Sequence, residues 1–407
     1  MRPFYTMHWR NTFPHSCIVL KLKASWGVQG NDNLYPSASY ARKYYPYSDN
    51  YTHSYNEETG EYSQVLAYKG NEDLTWESSQ AFNCGADFEL FNGLLCGSIE
   101  YFSRKTTDLL YSKDVPLSSG NPTGYYPVNV GSILNRGFEA SLYGDIINNS
   151  KVKWTWNLNI SHYVNRILDL DSSVAEEGIK GGNYIYKIGG SLYDAYMYKY
   201  AGVDKENGQA LYYCLDKDGE IAITPVFSEA DQFECGSVLP KLYGGFGTSA
   251  RFFGFDISAQ FSYQLGGRYY DGSYQSLMHT DSSIGSAWHK DVLDSWSEDN
   301  PGSKIPRLDG DTSVGQSPVD RFLICSDYLS INNITVGYTI PYRWTSIMKI
   351  AEIRIYFAAD NLAVASARKG VDPRFSMGLG SFTSGSGLNS GAYSAMRTLT
   401  GGLTLTF

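Results

Sequence analysis

From Leu20 to Phe407 the sequence repeats one unit: a segment in which apolar and polar residues alternate one by one, then a connection, and the connections alternate between short and long. The cleanest segment sets Phe255, Ile257, Ala259, Phe261, Tyr263 and Leu265 against Asp256, Ser258, Gln260, Ser262 and Gln264. A period of two puts successive side chains on opposite faces, so each segment reads as a β-strand with one apolar and one polar face. Short connections make hairpins, and a regular succession of short and long gathers every long loop at one end of the sheet. A soluble sandwich has no reason to sort its loops in this way. Its strands usually run ~5 to 6 residues, whereas several runs here reach the ~9 to 11 that cross a bilayer at a tilt. The pattern therefore predicts an all-β fold, a transmembrane antiparallel β-barrel with short periplasmic turns and long extracellular loops.

Leu20 to Gly27 is the first predicted strand, followed by a loop rich in Tyr, Asn, Ser and Gly up to about Asn71. Phe82 to Leu90 and Leu95 to Tyr101 flank Asn92-Gly93, the strongest short-range hairpin signal. After a connection holding Pro116, Pro122 and Pro127, the segments Arg136 to Ile146 and Val152 to Ser161 flank Asn148-Asn149-Ser150. Three more pairs follow: Leu192 to Gly202 with Gln209 to Leu215, Leu242 to Ala250 with Phe255 to Leu265, and Tyr328 to Ile340 with Ile350 to Phe357. The phase of Tyr328 to Ile340 shifts at Asn332-Asn333, as a β-bulge would shift it. With the closing run Met396 to Phe407 the count is about twelve strands. In that last run Leu399, Gly401, Leu403, Leu405 and Phe407 share the apolar face, and an aromatic terminus belongs at a bilayer interface. Leu403, Leu405 and Phe407 are the expected C-terminal barrel-assembly signal.

Composition supports this reading and narrows the function. Aromatics are 15% of the 407 residues, with 34 Tyr, an excess that suits interface girdles and sugar-stacking loops more than a core. The net charge of −9 supplies no basic footprint for nucleic acid. No run approaches the ~18 to 20 apolar residues of a spanning helix. Six cysteines are spread over the chain with no CxxC, so no metal motif and no disulfide pairing follows from their spacing. The first twenty residues lack the apolar core of a secretory signal. An exported protein needs one, so residues 1–19 are expected to be a truncated or unrelated segment and residues 20–407 the barrel.

Several short stretches, in order along the chain, resemble the SusC/RagA-type TonB-linked outer-membrane transporters of the Bacteroidetes. They are Asn71-Glu-Asp-Leu-Thr-Trp-Glu77, Asp108-Leu-Leu-Tyr111 with Pro116, Val130-Gly-Ser-Ile-Leu-Asn-Arg-Gly-Phe-Glu139, Pro240-Lys-Leu-Tyr-Gly-Gly245, Asp327 through Pro341, Asp360-Asn-Leu362 and Arg397 to Phe407. The resemblance implies TonB-dependent import of oligosaccharides or peptides across the bacterial outer membrane, with a SusD-like surface lipoprotein over the extracellular mouth. It further implies that the plug and the TonB-contacting region, which the family carries before the barrel, are not in this sequence, and that about twelve strands are the last part of a larger barrel. A self-contained porin or adhesin barrel is the alternative, and a soluble carbohydrate-binding β-protein a third reading.

No Ser/His/Asp elbow or carboxylate pair stands out, so an enzyme is not expected. His279, Asp281, His289, Asp291 and Asp294 share one loop without ligand spacing, Asp309-Gly310-Asp311 is a turn rather than a calcium loop, and Gly378 to Gly387 has no phosphate-loop context. No cofactor or metal is expected. The candidate ligand contacts are loop aromatics whose faces stack on sugar rings: Tyr44, Tyr45, Tyr47, Tyr125, Tyr126, Tyr269, Tyr270, Trp288 and Trp296. The competing role for each is as a girdle or lipoprotein-contact residue.

Overall fold

The computed structural model describes residues 7–9, 17–34, 44–171, 174–278, 287–308, 319–369, 372–375 and 395–407. Its frame is a single antiparallel sheet of eleven strands. These are β1 (Met7–Trp9), β2 (Cys17–Asn31), β3 (Glu77–Leu90), β4 (Leu95–Thr107), β5 (Ser132–Asn148), β6 (Val152–Asp169), β7 (Leu242–Phe252), β8 (Phe255–Leu265), β9 (Tyr328–Thr339), β10 (Glu352–Ser366) and β11 (Thr398–Thr406). Each strand bonds only to its neighbours in sequence, so the sheet is an up-and-down meander.

Connections at one end are tight. Residues 91–94, 149–151 and 253–254 join β3 to β4, β5 to β6 and β7 to β8, and 340–351 joins β9 to β10 through a single helical turn, Tyr342–Thr345. In the tightest, Phe253 and Gly254 both have positive φ (48° and 87°), the mirror-image geometry whose twist matches that of flanking strands. The other end carries the spans 32–76, 108–131, 170–241, 266–327 and 367–397. The predicted sorting of loops by length is thus present. The predicted bulge is present too: the β9 register skips Asn332 against both β8 and β10.

Two predicted wall strands lie elsewhere. Leu192 to Gly202 and Gln209 to Leu215 fall inside the 170–241 span, where Asp194–Tyr198 pairs with Gln232–Ser237 and Tyr200–Val203 with Ala210–Leu215. At 4 to 6 residues these strands are too short to cross a bilayer, and alternation alone does not separate a loop hairpin from a spanning one. At the other end of the chain β2 starts at Cys17, before the expected Leu20, and β1 pairs with it, so part of the 1–19 segment joins the sheet.

The burial of the two faces is the reverse of that in a water-soluble sheet. Apolar side chains of the wall stand exposed, among them Leu22, Trp26, Phe82, Ile99, Phe138, Ile257, Leu329, Ile355, Phe357 and Leu403, whereas polar residues of the opposite face, Asn165, Gln264 and Ser330, are buried. A sheet that exposes its apolar face and covers its polar one is built for lipid outside and a polar interior. Aromatic and aliphatic residues also crowd the short-turn end. Phe253, Tyr342, Trp344, Ile347 and Phe407 are all more than half exposed there, as an interface girdle requires.

The apolar core lies outside the wall, in the loops. Tyr184, Ala195, Met197, Ala210, Tyr212, Cys235, Val238, Tyr270, Val319, Phe322 and Leu323 form one buried cluster drawn from the 170–241 and 266–327 spans. An isolated parallel bridge, Tyr198 to Val319, ties the two spans together.

Candidate lumen wall and extracellular mouth

The polar face of the wall follows from the register. At one level Lys23, Gly85, Glu100, Glu139, Ser161, Tyr243, Gln264 and Tyr328 run side by side from β2 to β9. Lys23 Nζ lies 2.7 Å from Asp87 and 2.5 Å from Glu100, tying β2 to β3 and β4. Further round, Asn333 donates to Asp360 at 2.7 Å and Arg354 grips Asp256 through two bonds of 2.9 and 2.5 Å. Such a wall offers hydrogen bonds to a polar solute while most of its fixed charges are already paired. Near the short turns Lys153, Arg251, Asp256, Glu352 and Arg354 border a cavity of about 750 Å³.

At the long-loop end the segment after β10 folds back onto the bulge. Arg374 holds Asp372 through bonds of 2.8 and 2.7 Å and donates to Ser330 at 2.8 Å and to Asn332 and Asn361 at 3.4 Å. Beside it Arg368 pairs with the buried Asp271 at 2.8 Å and stacks 3.5 Å above the Tyr274 ring. Asp271 is also the N-cap of the short helix Gly272–Leu277. These residues were not singled out by sequence reasoning. The one trace they leave is the Asn332-Asn333 phase shift, because the extra residue of a bulge needs partners from outside the ladder.

Burial raises the Asp372 carboxyl pKa, but the Arg374 hydrogen bonds outweigh it and hold the group below its ordinary 3.8. A carboxylate whose pKa falls on folding stabilises the fold above the ordinary value and loses that contribution as pH drops through the folded one. The 372–375 anchor is therefore expected to hold unchanged between pH 7 and 5 and to loosen below about pH 4. Limited proteolysis across that range checks it, and Asp372→Asn should give the low-pH pattern at neutral pH.

The predicted ligand aromatics divide into three groups. Tyr44, Tyr45, Tyr47 and Trp288 are open to solvent. Tyr125 and Tyr126 are half-buried on the Leu110–Asp114/Tyr125–Asn129 hairpin, with Tyr125 6.1 Å from the Tyr68 ring. Burial pushes the Tyr68 hydroxyl up to about 12 while it donates to the Pro46 carbonyl. Trp296 is half-buried, lies against Gly208 and donates to the Lys205 carbonyl. Tyr269 and Tyr270, in contrast, are each 3% exposed. Their strand, Arg268–Tyr270, pairs with Leu323–Cys325, and the Tyr270 ring packs against Phe322, so both rings are interior to the loop body and not on an open loop surface.

His289 caps the turn Lys290–Asp294 by accepting from Asp291 N, and Asp291 accepts from the Tyr274 hydroxyl at 2.9 Å. His279, Asp281, Asp309-Gly310-Asp311 and Gly378 to Gly387 lie outside the described residues. Leu403 and Leu405 sit on the exposed apolar face opposite Ile355 and Ile353, and Phe407 follows them at the short-turn end.

This geometry agrees with what comparison with known proteins finds. Residues 22–362 match the family model described as TonB dependent receptor-like, beta-barrel. A TonB-dependent receptor of Formosa agariphila is 28% identical over 411 residues, covering 95% of this chain and 40% of the relative. The TonB-dependent receptor SusC of Bacteroides thetaiotaomicron is 27% identical over 381 residues, covering 88% and 36%. The solved RagAB peptide importer in its open-open state superposes with a TM-score of 0.76 at 26% identity, over 99% of this chain and 42% of that one. The chain thus spans about two fifths of the length of the relatives it matches. With a meander wall, an exposed apolar face and long loops gathered at one end, the chain belongs to the TonB-dependent receptors, of the SusC/RagA type, and matches them through their β-barrel.

Proposed function

We propose that this chain forms barrel wall and extracellular mouth of an importer in the bacterial outer membrane, driven through TonB and carrying oligosaccharides or peptides. The observation that carries the reading is the reversed burial: exposed apolar residues from Leu22 to Leu403 on one face and buried Asn165, Gln264 and Ser330 on the other. A polar wall suits passage of a hydrogen-bonding solute. The long loops give a SusD-like lipoprotein a surface to cap, and the exposed rings of Tyr44, Tyr45 and Trp288 stand where a solute first meets the protein. From Cys17 onward the chain supplies wall strands and the loops they carry, and the activity belongs to the whole transporter.

The test is uptake of labelled oligosaccharides and peptides by cells with and without the gene, each with and without a protonophore. Gene-dependent uptake that a protonophore abolishes supports the proposal. Gene-dependent flux that ignores the protonophore would replace it with a passive pore. In the same assay Tyr44→Ala/Tyr45→Ala/Trp288→Ala is expected to raise the half-saturating concentration at least about tenfold with little change in maximal rate. Each lost ring contact is worth ~0.5 to 1.5 kcal/mol, and ~1.4 kcal/mol is a factor of ten. An unchanged half-saturation would give these rings to girdle or lipoprotein contact instead.

A further inference from the structure

The apolar face is uniform except at one place. Among the described residues of β2 to β11 its register positions carry one carboxylate, Asp169, which pairs with Ser132 past a bulge at the end of β6, and Lys105, Arg136, His162 and Arg166 are its Lys, Arg and His residues. All four lie on three adjacent strands. Leu134 pairs with Lys105 on one side and Arg166 on the other, which sets those three in one cross-strand row. Arg136, paired with Ser103 and Val164, is the diagonal neighbour of both outer cations. Lys105, Arg136 and Arg166 are exposed. Arg136, His162, Val164, Arg166 and Lys241 also border a single cavity of about 370 Å³. Arg166 Nε donates to the Gly189 carbonyl at 3.2 Å, and His162 contacts the Lys241 carbonyl. The cavity's carboxylate, Asp194, accepts from Ser191 N at 2.7 Å, and no ion pair joins it to these cations among the described residues.

Height matters for what such a patch can do. At ~3.3 Å per residue and a tilt near ~40°, Lys105, Arg136 and Arg166 stand roughly 25 to 35 Å above the short-turn ends of their strands. That is the upper rim of a ~25 Å apolar band, where a lipid-facing charge is tolerated and where head groups lie. Leu134 and Val164, set between the cations, leave an apolar strip continuous with the wall below.

We infer that this patch binds the phosphate-bearing head group of a membrane lipid in the outer leaflet, with the acyl chains lying along the apolar wall beneath. The inference rests on the wall being lipid-facing, as the proposed function requires. Charge complementarity selects the occupant: three exposed guanidinium and ammonium groups against the single carboxylate of Asp169, with no ion pair between them among the described residues, match a phosphate, and the apolar strip matches its tail.

The test uses the protein purified in detergent from its native membrane, stripped of lipid and titrated with phosphatidylglycerol or phosphatidylcholine while bound lipids are counted by native mass spectrometry. The wild type is expected to retain the anionic lipid at least about tenfold better. Lys105→Gln/Arg136→Gln/Arg166→Gln should lose that preference, and Arg136→Lys/Arg166→Lys should keep most of it. Heat-dependent gel mobility reports whether each variant is folded. If the glutamine variant does not fold, the wild type titrated in 50 and 500 mM NaCl serves instead, with the preference expected to fall at high salt. An undiminished preference in the folded glutamine variant, or at high salt, overturns the inference. Displacement by equimolar inorganic phosphate would give the patch to a free anion, and loss of a copurifying acidic protein in place of lipid would give it to protein docking; either result also overturns it. Absence of the wild type from the membrane fraction would instead overturn the proposed function.

Discussion

Tyr212→Ala is expected to unfold the loop body and leave the wall standing. Tyr212 is 1% exposed and central to the cluster, with Phe227 at 5.1 Å and Tyr200 at 6.1 Å in edge-on contact. Truncating a buried aromatic side chain costs ~3 to 5 kcal/mol, and a body built from two loops has little stability to spare. The wall does not share this core. Its strands are held by continuous ladders and by lipid outside, and its ties to the loop body are local, as where Asn165 accepts from Ser191 and Leu192. Protease cuts should therefore appear within 170–241 and 266–327 while the heat-modifiable band persists. Ile223→Ala, exposed on the strand Ile221–Thr224 that pairs with Ala210–Leu215, should stay within ~0.5 kcal/mol and remain protease-resistant. Loss of the heat-modifiable band in Tyr212→Ala would mean that wall and loops fold as one unit.

The same division explains what the sequence could and could not announce. Wall strands were legible because each is specified locally. Phe255 to Leu265 declares its two faces by parity, and the Asn332-Asn333 phase shift survives as a skip in two ladders. Loop residues are placed by partners far away in sequence. Nothing near Tyr270 says that Phe322 will cover it, and nothing near Tyr44 says that it will be left open. Similar Tyr-Tyr pairs at 44–45 and 269–270 therefore received the same expected role and have opposite surroundings. Arg374 was silent for a related reason, since apart from its near neighbour Asp372 its partners Ser330, Asn332 and Asn361 come from two strands that only the sheet brings together. The cationic patch falls between these cases. Arg136, His162 and Arg166 visibly break the apolar parity of their own strands, but only the register shows that they are neighbours.

Gly131→Ala is expected to destabilise the wall by roughly 2 to 5 kcal/mol, whereas Gly120→Ala, in the same connection, should cost only ~1 to 2 kcal/mol. Both glycines have positive φ, 65° and 79°, and both substitutions carry the strain of a left-handed backbone. They differ in what surrounds the added methyl. At Gly120 nothing lies within 4 Å, but at Gly131 the new Cβ would sit 1.9 Å from the Asp169 carbonyl oxygen and 2.9 Å from Leu170 Cα. Those atoms are backbone at the end of β6, and they cannot swing aside as a side chain would. Gly131 also closes its loop onto the wall, accepting from Leu109 N one residue before β5 begins at Ser132. Relief of the clash must therefore part β5 from β6 where Ser132 pairs with Asp169. The temperature at which the folded band converts to the unfolded one measures both losses directly. Equal shifts for the two variants would show that the close approach of strands at Gly131 costs nothing, and that backbone conformation alone accounts for glycine in this stretch of the family motif.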